Sequence, residues 1–128
     1  VVLQRVVDFL QKSFTHYHWV GLYRVHNDVL VLGPWRGKQA TEHTKIPLGK
    51  GICGSAARSG TTEIVDDVSK DTRYLSCFRS TRSENGLAVQ RGAYVGGESD
   101  IEANVPSAFT PQDAEFLEKV ADMLSRHI

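Results

Sequence analysis

The order of secondary-structure signals predicts an α+β fold, an antiparallel β-sheet with N- and C-terminal helices packed on one face. Two observations carry this expectation. Apolar residues spaced by three and four cluster at the two ends of the chain, with one short helical run between them. The middle is otherwise occupied by β-favouring runs separated by turn-forming residues.

The elements follow in order. Val2, Val6, Val7, Phe9, Leu10 and Phe14 form the apolar stripe of an opening helix over residues 2–14. Residues 19–25 and 29–32 alternate in β-favouring side chains around the turn residues His26, Asn27 and Asp28, which reads as a hairpin ended by Pro34 and Gly37. A polar stretch from Lys38 to Lys45 leads into Ile46, Pro47 and Leu48, with Gly49, Gly51 and Gly54 marking turns. Residues 52–58 suit a short helix closed by Gly60 as a left-handed cap. A strand is expected at 61–65, then an irregular, polar segment over 66–83 whose length suggests a functional loop. Residues 87–89 and 94–101 are candidate strands weakened by Gly86, Gly92, Gly96 and Gly97. Thr110, Pro111 and Asp113 resemble a capping box with proline at the first helical position, opening a final helix along Phe116, Leu117, Val120, Ala121 and Leu124.

A chain of 128 residues suits one domain, residues 1–128. Fifteen basic and fifteen acidic residues cancel, removing the electrostatic footprint expected of a nucleic-acid or anionic-membrane binder. No apolar run approaches the roughly 18 residues of a membrane span, and no secretory leader pattern opens the chain, so a cytoplasmic location is expected. The two cysteines, Cys53 and Cys77, are too few for a disulfide-stapled scaffold and read as thiols or as a catalytic couple.

Several constellations could carry chemistry. Residues 49–54 formally match a glycine-rich dinucleotide fingerprint, but Pro47 interrupts the strand that should precede it and the elements do not alternate as βαβ. The same turn puts Cys53 at a helix N-terminus, where the helix dipole would lower a thiol pKa; the alternative is a buried structural cysteine. Cys77 sits among Arg73, Arg79 and Arg82, which would stabilise a thiolate unless they face solvent. The five histidines show no paired metal-ligand spacing, so no metal site is expected. Trp19 and Tyr23, four apart on a strand, share a face and could line a pocket or simply pack in the core. Asp100 and Glu102 share another strand face, and Glu84 could join them from a neighbouring strand. Three converging carboxylates are a solvated acidic patch or, if half-buried, a site for a cation such as an ammonium group.

The segments 19–23, 32–38, 46–54 and 82–84, with 100–102 and 108–110, resemble the free methionine-R-sulfoxide reductases, which are GAF domains. Cys53 and Cys77, twenty-four positions apart, carry the most specific part of this resemblance. The resemblance implies a GAF-like fold and reduction of free methionine-R-sulfoxide without a cofactor, with thioredoxin as reductant, by a homodimer. It implies Cys77 as nucleophile, converted to a sulfenic acid, and Cys53 as the thiol that condenses with it to a disulfide. It further implies Glu84, Asp100 and Glu102 as the ammonium-binding and oxygen-polarising carboxylates, with Trp19 and Tyr23 as the wall for the S-methyl end. Many members carry another cysteine where this chain has His43, leaving a two-cysteine mechanism. Glu102 stands in place of an expected Asp, and Asn85, Gly86 and Gly96 replace apolar strand residues. A non-enzymatic sensory GAF module binding a nucleotide or amino acid is the alternative expectation.

Overall fold

A computed structural model describes residues 1–75 and 78–128. The elements are α1 (Val2–Ser13), β1 (Trp19–His26), β2 (Val29–Arg36), β3 (Lys45–Pro47), α2 (Gly51–Ser59), β4 (Thr62–Val65), β5 (Ser83–Arg91), β6 (Tyr94–Ala103) and α3 (Pro111–Leu124), with a single 3-10 turn at Val68–Lys70. The six strands form one sheet in the order β3-β2-β1-β6-β5-β4, and every neighbouring pair is antiparallel.

The period-two alternation of a strand sends successive side chains to opposite faces, and here the two faces have different tasks. Val20 and Leu22 of β1, Leu87 and Val89 of β5, and Ile101 of β6 meet Leu3, Val7 and Leu10 of α1 and Leu117, Ala121 and Leu124 of α3. The terminal helices therefore share one face, as the sequence predicts. α2 lies on the other, against β5 and β6. Its C-terminus is closed by Gly60 at φ 66°, ψ 36°, the left-handed conformation expected there. α3 opens with the anticipated capping box, in which the Thr110 side chain accepts from the Asp113 amide and the Asp113 carboxylate accepts from Thr110. Partial burial works to raise the pKa of that carboxyl, but hydrogen bonds from Tyr17, Thr110 and His16 hold it down at about 2.

Three boundaries differ from the sequence expectation. β2 does not stop at Pro34 but runs to Arg36, because the register shifts between Gly21 and Tyr23 and the proline falls in the resulting bulge, where a missing N–H breaks no regular ladder. Lys45–Pro47 is an edge strand paired with Val29–Val31. β5 begins at Ser83, four residues before the expected start, because pairing with β6 across its whole length overrides the weak strand preference of Asn85 and Gly86. The hairpin turn at Asn27 and Asp28 has φ of 51° and 62°, the left-handed pair of a tight two-residue β-turn.

Asn85 falls on the strand face that Leu87 and Val89 present to the terminal helices. It is fully buried, and among the described residues neither its amide nitrogen nor its oxygen has a hydrogen-bond partner. Asn85→Val removes that orphaned polar group from the core, and a gain of roughly 1–3 kcal/mol is expected. Thermal melting should show Tm higher by several degrees. An unchanged or lower Tm would contradict the assignment of Asn85 to an unsatisfied core position.

Candidate active site

Antiparallel pairing aligns three strands so that acidic side chains stack on the α2 face. In β6, Glu98, Asp100 and Glu102 alternate to that side. Glu102 lies opposite Glu84 of β5 and Trp19 of β1; Asp100 lies opposite Gly86 and Gly21; Glu98 lies opposite Ala88 and Tyr23. The carboxylates are therefore flanked by two glycines in the middle row and by aromatic rings of β1 at either end. A Cβ on Gly21 would sit 2.3 Å from the Trp19 ring, so glycine there lets the indole lie across the sheet.

The four carboxylates are closed off from water: Glu84 is 3 % exposed, Glu98 0 %, Asp100 0 % and Glu102 1 %. Carboxylate oxygens of Glu84, Asp100 and Glu102 lie within 4.8 Å of one another. The Cys53 sulfur, carried by the first turn of α2, lies 3.5 Å from Glu84 Oε2. Among the described residues Glu84, Glu98 and Asp100 form no ion pair. Among the same residues neither Glu98 nor Asp100 meets a donor at full hydrogen-bonding geometry, although their carboxyl neighbours and the Cys53 thiol are close, as is the Leu87 backbone to Glu98. Glu102 accepts from Thr81 Oγ1 at 2.9 Å and from the Tyr74 hydroxyl at 3.4 Å.

Such a cluster cannot hold four negative charges. Burial, joined by the charges of Glu102 and Glu98, raises the Glu84 carboxyl to about 8 and outweighs the hydrogen bonds that favour its ionised form. Burial and neighbouring carboxylates likewise push Asp100 and Glu98 well above the carboxylate range. Glu84, Glu98 and Asp100 thus store protons at a pH where ordinary carboxylates have none.

Above the cluster, Trp19 stacks on Trp35 at 6.2 Å and meets Phe78 at 5.7 Å. A cleft of about 50 Å³ runs between Trp19, Phe78, Thr81 and Glu102, with His18, Lys38 and Asn104 along its rim. The Trp19 indole nitrogen is buried and has no partner among the described residues. Tyr23 is buried in a second apolar cluster with Cys53, and its hydroxyl donates to the carbonyl of His43 at 2.9 Å.

Glu84, Asp100, Glu102, Trp19 and Cys53, widely separated in sequence, therefore gather on one sheet face, with Tyr23 at its far end. Cys77 lies outside the described residues. Its nearest described neighbours in the chain both reach this face: Leu75 packs where a Cβ on Gly51 would sit, and Phe78 packs on Trp19. Two expectations need correction. The helix N-terminus does not activate Cys53; burial, with the charges of Asp100, Glu98, Glu84 and Glu102, raises its thiol pKa well above the ordinary value, because the side chain faces the acids. Glu98 was missed altogether, although the alternation linking Asp100 to Glu102 reaches it in one more step.

The GAF domain family matches residues 1–128. Free methionine-R-sulfoxide reductase of Escherichia coli is 31% identical over 117 residues, 91% of this chain and 70% of that protein. The structure is similar to that of a type II free methionine-R-sulfoxide reductase from Thermoplasma acidophilum, with a TM-score of 0.94 and 31% identity over 98% of this chain and 88% of that one. It is also similar to a free methionine-R-sulfoxide reductase from Neisseria meningitidis solved in complex with its substrate, with a TM-score of 0.89 and 32% identity over 97% and 74% of the two chains.

The acid cluster has a signature in stability. Glu84 holds its proton in the folded state up to about pH 8, whereas an unfolded glutamate loses it near pH ~4.3. Between those values the folded state binds more protons, so stability falls as pH rises, by at most ~1.4 kcal/mol per pH unit for this group. Denaturation from pH 5 to 8 should show that decline, and Glu84→Gln should make it shallower. An identical slope in both proteins would contradict the proton-storing role.

Proposed function

The chain belongs to the GAF domain family, and from that premise we propose that it reduces free methionine-R-sulfoxide to methionine. The observation that carries this is the buried acid cluster beside a thiol, beneath an aromatic wall. Among the described residues Glu84, Glu98 and Asp100 have no cationic partner, and buried carboxyls of that kind favour a ligand that brings its own positive charge, which a free amino acid does through its ammonium group. A methionine sulfoxide within a polypeptide has an uncharged amide nitrogen at that position and would leave the acids unpaired.

In this reading Asp100 and Glu102 grip the ammonium and Trp19 walls the S-methyl end, while Tyr23, expected beside it, closes the far end of the face opposite Glu98. The Cys77 thiolate attacks the sulfoxide sulfur, and Glu84, still protonated at neutral pH, donates its proton to the sulfoxide oxygen. The oxygen passes to Cys77 as hydroxyl and methionine leaves, so the sulfoxide gains two electrons and Cys77 becomes a sulfenic acid. The Cys53 thiol condenses with it, releasing water and forming a disulfide, which a dithiol reductant such as thioredoxin returns to two thiols. His43 replaces the usual third cysteine, so Cys53 is the only thiol left in the chain for that step. The neutral state of Cys53 suits a resolving role, since its raised pKa keeps it from competing as nucleophile. Entry of the substrate requires Tyr74, Phe78 and Thr81, which cover Glu102 and Trp19, to move aside.

We also propose a homodimer formed through the terminal helices. Val2, Phe9 and Met123 leave an exposed apolar strip between α1 and α3.

Turnover should be measured with separated R and S epimers, thioredoxin and its NADPH-dependent reductase. The R epimer alone should be consumed, and Cys77→Ser should abolish turnover. Failure of the wild type to consume free R-sulfoxide, or full activity of Cys77→Ser, would overturn the proposal; binding without turnover would favour a sensory module. Because Glu84 must be protonated, kcat/KM should fall as pH rises through about 8. Glu84→Gln should lose ~10²–10⁴-fold in kcat and with it that descending limb. A normal rate in Glu84→Gln would remove it from the acid role.

A further inference from the structure

Glu98 and Gly86 take no part in the chemistry above, and the geometry couples them. A Cβ on Gly86 would stand 3.1 Å from Glu98 Oε2 and 3.2 Å from Ile52 Cγ2 of α2, so the glycine opens the space into which Glu98 reaches. There both Glu98 oxygens are fully buried and, among the described residues, meet no donor at full bonding geometry, the Cys53 thiol and the Leu87 backbone being the near groups. The Cys53 sulfur and an Asp100 oxygen share this space, and the three ligand-type atoms lie within 4.8 Å of one another.

We propose that Cys53, Glu98 and Asp100 form a binding site for a divalent cation of the zinc type, held by one thiolate sulfur and two carboxylate oxygens. Zinc bonds of about 2.3 Å to sulfur and about 2.0–2.2 Å to oxygen place tetrahedral ligand atoms roughly 3.4–3.6 Å apart, a contraction within reach of the observed spacing. Glu84 Oε2, 3.5 Å from the Cys53 sulfur, is placed to supply a fourth ligand. The mixed sulfur and oxygen donor set favours zinc, or cobalt as its substitute, over magnesium and calcium, which prefer oxygen alone. A dication also resolves the electrostatic problem of the site: it displaces the protons that Cys53 and Glu98 otherwise retain and leaves their charges compensated. The histidine and cysteine spacings gave no hint of this, because the ligands come from one helix and one strand brought together by the sheet. The inference goes beyond the reductase reading and stands without it, since metal binding requires no turnover. A Cys53 sulfur bound to zinc is withheld from disulfide formation.

The reduced protein should be titrated with Co²⁺ at pH 7.5 without oxygen. One equivalent is expected to produce a thiolate-to-cobalt charge-transfer band in the near ultraviolet and the intense visible bands of tetrahedral cobalt, both removed by Zn²⁺. Binding should release protons and tighten as pH rises. Cys53→Ser should lose the charge-transfer band while Cys77 remains, and Glu98→Gln should weaken Co²⁺ binding at least ~10-fold. No charge-transfer band in the wild type at excess Co²⁺ would overturn the proposal. So would a band that survives Cys53→Ser, or unchanged affinity in a folded Glu98→Gln. Should Glu98→Gln fail to fold, the wild-type and Cys53→Ser spectra decide the matter.

Discussion

Four carboxyl groups buried on one face of a β-sheet, with no lysine or arginine among the described residues paired to Glu84, Glu98 or Asp100, set the terms for everything around them. Isolated carboxylates in such surroundings cost several kcal/mol each, so the cluster retains protons. From that follow the acid character of Glu84 and the reluctance of Cys53 to ionise. The ammonium group and the metal dication proposed above would each offset that deficit of positive charge.

The fold tolerates this because its two faces divide the work. The helix-covered face buries Val20, Leu22, Leu87, Val89 and Ile101 against α1 and α3 and supplies the hydrophobic stabilisation. The opposite face carries the acids, with α2 above them. The strand register fixes which acids meet: a shift by one residue in β6 would send Glu98, Asp100 and Glu102 into the apolar core and Ile101 out of it. The glycines are placed accordingly, Gly21 beneath the Trp19 ring and Gly86 beneath the Glu98 carboxyl.

Much of this was legible from periodicity alone. The terminal helices, the hairpin turn at Asn27 and Asp28, the Gly60 cap and the Thr110 capping box all rest on local chemistry and emerged as expected. The shared face of Asp100 and Glu102 follows from their spacing, and Glu84, which could join them from a neighbouring strand, is set opposite Glu102 by the pairing of β5 with β6. What escaped depends on tertiary context. Pro34 looks like a strand end, yet lies in a bulge whose position is set by the partner strand. Asn85 and Gly86 hide the start of β5, which pairing with β6 enforces. Cys53 looks activated when only its own helix is considered, and is the opposite once the facing acids are known. Glu98 lay in a glycine-weakened stretch, and the space that makes it matter is provided by Gly86 on another strand.

The retained protons can be observed directly by following the side-chain carboxyl carbons of selectively ¹³C-labelled protein through a pH titration, with Glu84→Gln assigning that signal. The account predicts that Glu84 titrates near pH 8 and that Glu98 and Asp100 stay protonated well beyond the ordinary carboxylate range. Four signals all titrating near pH ~4 would contradict it.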